Sequence, residues 1–297
     1  MSEMSESNSQ LRYAYFPGCS SKSTSIEYHI STLKVAEKLG IELVDMEQEN
    51  CCGTHNVEDY NEDVWLALNA RNLALAEGLG ADLVTICSGC FLTTKKAQKA
   101  LEIGQKEKEK VNKILHEINR EYSGSSKVKH ILGVLVEDFG LDKLSKFVEK
   151  ELGIKVAPYY GCQLLRPPEI TRFDDPENPK SFERLLETIG CEVADYTRKI
   201  DCCGAPLTLT EGGIVKSMVE KIIQEVRESD ADCISTICPL CHYALETTQF
   251  SLKQEKIPVV HVTQLVGLAI GLSPDDVALD KNLISTRDLV DKVYGRP

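Results

Sequence analysis

Apolar and polar positions along this chain switch between two periods, and the switching predicts its elements. Residues 11–16 form a short apolar run that predicts a strand, closed by the turn Pro17-Gly18-Cys19. A helical spacing follows, with Ile26, Ile30, Leu33 and Ala36 on one face, and it ends at Gly40, where a C-terminal glycine is expected. Residues 41–46 predict a second strand that leads into Cys51-Cys52-Gly53. Residues 63–79 predict a helix with Trp65, Leu68 and Ala76 in apolar positions, stopped by Gly80 before a third strand at 82–86. Residues 105–122 predict a charged helix with Val111, Ile114, Leu115 and Ile118 as its buried stripe. After a loop at 123–126, Val128-Lys129-His130 leads into an apolar helix.

The same order then returns. Residues 154–160 predict a strand, and 167–179, rich in Pro and Asp, predict a long loop of the kind that often serves a site. Helices at 181–189 and 214–226 and a strand at 232–237 rebuild the first order, and Val259-Val260-His261 repeats the strand-to-helix phrase. Ser273-Pro274-Asp275-Asp276 predicts a last helix start, with Ser as cap and Pro in the first position. Residues 1–10 read as a polar lead-in. Strands alternating with helices of this length predict an α/β fold of two pseudo-repeated domains, 11–150 and 151–297, each a parallel sheet flanked by helices.

Composition narrows the function classes. The chain has 297 residues, 42% hydrophobic and 27% charged, with a formal net charge of −12. That charge argues against broad nucleic-acid binding and against an anionic membrane surface. No apolar run reaches membrane-spanning length, and Met1 to Glu6 carries neither a basic nor an apolar region, so no secretory signal is expected. The expected location is the cytoplasm. In that reducing setting, twelve cysteines at regular spacing point to metal ligands or catalytic thiols, not to a disulfide framework.

Ten of the cysteines fall into two equivalent sets. Gly18-Cys19, Cys51-Cys52-Gly53 and Cys87-Ser88-Gly89-Cys90 match Gly161-Cys162, Cys202-Cys203-Gly204 and Cys238-Pro239-Leu240-Cys241. The step from Cys52 to Cys87 is 35 positions, as is that from Cys203 to Cys238. From Cys19 to Cys51 it is 32 and from Cys162 to Cys202 it is 40. Each motif lies just past a predicted strand, so a parallel sheet gathers all five thiols of a half on its carboxyl edge, where open α/β sheets bind ligands and helix amino termini offer N–H groups. A lone C-x-x-C is a weak signal, but the threefold combination occurring twice points to ligation. A closed zinc site takes four ligands and leaves one thiol over in each half, whereas iron–sulfur clusters have several irons and can use more. Iron–sulfur is favoured, with zinc as the alternative. Cys191 and Cys233 have no counterparts and read as core residues. His55 and His242 follow ligand cysteines closely and are candidates to hydrogen-bond sulfur or supply protons; His130 and His261, at strand ends, read as structural.

These motifs resemble the duplicated cysteine-rich CCG family, in particular the B subunit of heterodisulfide reductase, over residues 13 to 278. The resemblance implies two facing non-cubane [4Fe-4S] clusters, one on Cys19, Cys51, Cys52, Cys87 and Cys90, the other on Cys162, Cys202, Cys203, Cys238 and Cys241. It implies reduction of a disulfide, CoM-S-S-CoB or a related one, by one-electron steps. Relatives in sulfur oxidation and in fumarate or succinate reductases make an electron-transfer role the alternative, and a zinc-bound scaffold is a third. The chain has no G-x-G-x-x-G after a strand, no phosphate-binding loop and no ferredoxin-type cysteine run. Electrons are therefore expected from a cubane-cluster partner that is heterodisulfide reductase C-like, fed in turn by an A-like flavin subunit. An anionic substrate needs cations, and Lys22, Lys95, Lys96, Arg166, Arg172, Arg198 and Lys199 stand near the motifs, with Arg166 first because it follows Cys162 by four positions.

Overall fold

Two four-stranded sheets carry the chain, and in each every strand pair is parallel. The structure is a computed structural model and describes residues 10–295, so the polar lead-in expected at 1–10 lies outside it but for Gln10. The first half runs β1 (Arg12–Phe16), α1 (Ile26–Leu39), β2 (Glu42–Asp45), α2 (Thr54–Tyr60), α3 (Glu62–Gly78) and β3 (Asp82–Thr85). It continues through α4 (Ser88–Ile103), α5 (Gln105–His116), β4 (Val128–His130), α6 (Ile131–Gly133), a π-helical turn at 134–140 and α7 (Leu141–Ser145). The second half runs β5 (Lys155–Tyr159), α8 (Pro168–Thr171), α9 (Ser181–Thr188), β6 (Glu192–Val193), α10 (Gly212–Glu228) and β7 (Cys233–Thr236). It closes with α11 (Pro239–Gln249), β8 (Val259–His261), α12 (Val262–Ala269) and α13 (Arg287–Tyr294).

Strand order is β2-β1-β3-β4 in one sheet and β6-β5-β7-β8 in the other. The central strands are buried on both faces, as parallel strands covered by helices must be: Ala14, Leu83, Val84, Ala157, Ile234 and Ser235 are wholly inaccessible. The loops after β2, β1 and β3 are neighbours at one edge because their strands are, which brings Cys51-Cys52, Cys19 and Cys87 together. The same holds for β6, β5 and β7.

The halves pack through α1, which lies on α12. Its buried face differs from the expected stripe: Tyr28, Ser31, Thr32, Val35 and Leu39 face inward, while Leu33 is 37% exposed. Small polar residues replace apolar ones because they are paired across the seam, Ser31 Oγ with Thr263 Oγ1 at 2.6 Å. Helix α5 stops at His116, with Asn119 in the left-handed region at φ 54° just beyond, so Ile114 and Ile118 are half-exposed instead of buried. No helix starts at Ser273. Its side chain and Asp276 do exchange capping hydrogen bonds, but Ala278 at φ 52° turns the chain after one turn. The expected loop at 167–179 contains the short helix α8.

Candidate metal centres

In each set the C-x-x-C motif sits at a helix start. Cys87 and Cys238 are the residues before α4 and α11, and Cys90 and Cys241 lie in the first turns. The amides of Leu240 and Cys241 favour the ionised sulfur of Cys238, and that of Cys90 the ionised sulfur of Cys87. Free N–H groups at a helix start favour a negative sulfur. Gly89, between the two cysteines, lies where the halves approach: a Cβ there would come within 2.9 Å of Gln163 Oε1 from the other half.

The vicinal pairs depend on the glycine that follows them. Gly53 and Gly204 take φ of 79° and 74°, a region open to glycine, and this folds their amides back onto Cys51 Sγ at 3.4 Å and Cys202 Sγ at 3.3 Å. Buried asparagines brace the first pair. Asn69 Nδ2 donates to the carbonyl of Cys52 at 3.0 Å, and Asn72 Nδ2 to that of Asn50 at 2.8 Å. In the second half the amides of Tyr160 and Gly161 bond Lys199 O, and Tyr159 Oη donates to Asp201 O at 2.7 Å.

The ten thiols thus converge as two sets of five, none in a disulfide. Cys52 and Cys90 sulfurs lie 3.5 Å apart, and Cys203 and Cys241 sulfurs 3.4 Å apart. Cys19, Cys51 and Cys202 are exposed and Cys162 partly so, while the other six are buried. Gly18 and Gly161 keep space open beside the sulfurs, since a Cβ at either would stand 3.0 Å from the sulfur of Cys90 or Cys241. The crowding sorts the protons. Cys52 is pulled down to about 4, first by the thiol of Cys51 and then by that of Cys90, and Cys202 to about 6 by the thiol of Cys162. Cys238 lies well below the ordinary range, through Cys241 first and Cys87 next. Cys19, Cys87, Cys90, Cys162 and Cys241 are pushed up as the donors to their neighbours. Sulfurs that already share charge through S–H groups are suited to exchange those protons for metal ions. The residues fit an iron–sulfur cluster in each half.

The remaining nominated residues are placed as follows. Cys191 and Cys233 are buried away from the sets, and burial alone pushes Cys191 up to about 12. His55 is exposed on α2, and among the described residues its ring has no hydrogen-bond partner. His242 is 1% exposed, its Nε2 3.3 Å from Glu246 and 3.6 Å from Glu27 without an aligned hydrogen bond to either. His261 Nε2 lies 3.2 Å from Glu27, and both Nδ1 atoms meet Thr236 Oγ1. The two imidazoles stack at 4.0 Å with planes 17° apart, so their Nε2 lone pairs run side by side and cannot point at one ion. Burial favours the neutral forms of Glu27 and His261, which marks a hydrogen-bonded seam, not a third metal site. Nothing local in the sequence announces Glu27, Thr236 or Glu246, because the network joins both halves. His130 is a satisfied structural residue: its Nε2 donates to Ile237 O at 3.1 Å and its Nδ1 accepts from Leu132 N. Arg166 turns to its own loop, donating to Pro176 O at 2.9 Å with Glu177 at 3.6 Å.

Comparison with known proteins agrees with this arrangement. Residues 13–95 and 156–246 each match the CCG family, described as a cysteine-rich domain. The chain is 35% identical to the B subunit of the ferredoxin/F420H2-dependent CoB-CoM heterodisulfide reductase of Methanosarcina acetivorans, over 87% of this chain and 89% of that one. It is also 35% identical to the 8-methylmenaquinol:fumarate reductase membrane anchor subunit of Wolinella succinogenes, over 94% and 99%. A hypothetical protein from Helicobacter pylori shares the fold, with a TM-score of 0.73 at 16% identity, over 94% of this chain and 53% of that one. With both cysteine-rich domains present and reductase relatives matched along most of its length, the chain belongs to the duplicated CCG family that includes the heterodisulfide reductase B subunits.

Proposed function

We propose that the chain is the catalytic iron–sulfur subunit of a heterodisulfide reductase-type complex, its halves 11–150 and 151–297 each binding a non-cubane [4Fe-4S] cluster. One set of ligands is Cys19, Cys51, Cys52, Cys87 and Cys90, and the other is Cys162, Cys202, Cys203, Cys238 and Cys241. The observation that carries the reading is the junction of the two C-x-x-C motifs, where Ser88 Oγ donates to Ile237 O at 3.4 Å and the Cys87 and Cys238 thiols shift each other's proton affinity. When bound, two such clusters supply one electron each, the number that R–S–S–R′ needs, with two protons, to give RSH and R′SH. The chain's own part is to hold the two sets edge to edge and to leave one side open at Cys19, Cys51 and Cys202. His55, exposed on α2 four positions beyond Cys51, is assigned to hand a proton to the departing thiolate. His242, buried on α11 itself, is assigned to fix the helix that follows Cys238 and carries Cys241. Arg166 is assigned to an anionic group of the substrate, for which it exchanges the exposed Glu177. Electrons come from a cubane-cluster subunit paired with a flavin subunit.

The Wolinella relative favours a second reading, an electron-transfer subunit of a fumarate reductase-type complex. Among the described residues, no helix is long and apolar enough to cross a membrane. Anaerobic turnover with reduced viologen dye and a panel of disulfides, followed by thiol release, separates the two. The proposal expects thiols at one pair per two dye electrons. Reducible clusters without any thiol release assign the second reading.

A further inference from the structure

Seven cations stand near the cysteine motifs, and the structure sorts them. Lys22, Lys96 and Lys199 each meet a carboxylate, Glu49, Glu58 and Glu183 in turn. Arg166 lies against Glu177, and Arg198 against Asp201 and Glu225. Only Lys95 and Arg172 of the seven have no carboxylate partner among the described residues, and both line the same cavity of about 550 Å³.

The cavity is a product of the broken repeat. Counted from the matched cysteines, Phe91 and Lys95 hold the places of His242 and Glu246 and Ile170 that of Glu27, while His130 ends β4 as His261 ends β8. On the second-half side the space is closed: Tyr28 stacks on His261 at 4.0 Å and Glu27 sits against both histidines. On the first-half side the extra residues after Cys162 form α8 and a loop, no long helix comes in, and the space stays open. Its size suits a small molecule better than a helix or strand of a partner.

Its lining is selective. Phe91, Val128, Ile170 and Phe173 give it an apolar wall. Five cations, Lys95, Lys99, Lys127, Lys129 and Arg172, and three carboxylates, Glu102, Glu137 and Glu169, line it; Lys129 is held by Asp138 at 2.6 Å, which leaves a small excess of positive charge in a chain of net charge −12. Lys95 is half-buried, rests over the Phe91 ring at 4.9 Å and gives one N–H to Thr171 O at 2.7 Å, which leaves two donors free. Burial first, and Arg172 next, lower its pKa, a repulsion that an anion between the two would relieve. The turn presenting Arg172 is fixed, with φ 44° and Thr171 Oγ1 donating to Leu165 O at 3.0 Å.

We propose that this cavity binds a small organic anion, an oxyanion head on a short apolar body, gripped between Lys95 and Arg172. Lys95 is five residues beyond Cys90 on α4, about 7.5 Å along the helix axis. A ligand there is either a separate effector or the anionic end of the substrate, and the chemistry of capture is shared.

Phenyl phosphate is the probe. Titration calorimetry on the cluster-loaded, anaerobic full chain should show saturable one-site binding, and benzyl alcohol should show none. Lys95→Met and Arg172→Gln should each weaken it about ten-fold to a hundred-fold, the worth of one charge-assisted contact, with iron and sulfide content unchanged. Absence of saturable binding, or affinity that survives both substitutions, overturns the proposal. Competition of phenyl phosphate with a disulfide in turnover assigns the site to the substrate's end; binding without competition assigns it to a separate ligand. Because the heat signal needs no turnover, the inference stands or falls apart from the disulfide reading.

Discussion

Cys87 and Cys238 face each other across the seam between the halves, and each thiol shifts the other's proton affinity, Cys87 up and Cys238 down. Around this contact Ser88 Oγ donates to Ile237 O at 3.4 Å and His130 Nε2 to the same carbonyl, so two helix starts from different halves are locked edge to edge. The relationship separates two kinds of cysteine. Cys238→Ser should disturb the spectra of both clusters. Cys203→Ser, whose sulfur faces Cys241 in its own half, should abolish or convert one and leave the other. Electron paramagnetic resonance of the reduced proteins checks this, and loss of both signals in the Cys203 variant would contradict separate sites.

Cys191 and Cys233 belong to the core. Cys191→Ser and Cys233→Ser should leave iron content unchanged while lowering stability by about 1–3 kcal/mol, the cost of burying an unpaired hydroxyl. Denaturant unfolding alongside iron analysis reads both, and iron loss would place the thiol in a cluster.

Cys202 should be the thiolate most open to attack in metal-free, reduced protein. It is exposed and lowered to about 6 by the Cys162 thiol, so it is mostly ionised at pH 7 and becomes protonated as pH falls through about 6. Alkylation by iodoacetamide, mapped by mass spectrometry, should therefore fall off at Cys202 below about pH 6, and Cys233 should stay unlabelled throughout. Cluster-loaded protein should be protected at Cys202.

Arg166→Ala should raise KM for an anionic disulfide about ten-fold to a hundred-fold, the loss of one charge-assisted contact, with cluster content unchanged. An unaltered KM for every anionic disulfide turned over would leave Arg166 only its bond to the loop carbonyl of Pro176.

Much of this architecture is legible in the chain. The alternation of strands and helices and the gathering of Cys19, Cys51, Cys52 and Cys87 follow from short apolar runs, glycine stops and the parallel rule, all local signals. The contacts between halves are not. The inward face of α1 carries Ser31 and Thr32, which look solvent-facing until Thr263 pairs with them. Glu27 reads as a surface residue until His242 and His261 surround it. Periodicity overextends the helix at 105–122 and suggests one at 273 because the left-handed residues that turn the chain there, Asn119 and Ala278, are not glycines.

The most direct measurement is elemental. Protein purified without oxygen should contain about eight irons and eight acid-labile sulfides per chain, as two four-iron clusters require, with no stoichiometric zinc. One zinc with about four irons would contradict paired clusters, and zinc alone would contradict the iron–sulfur account altogether.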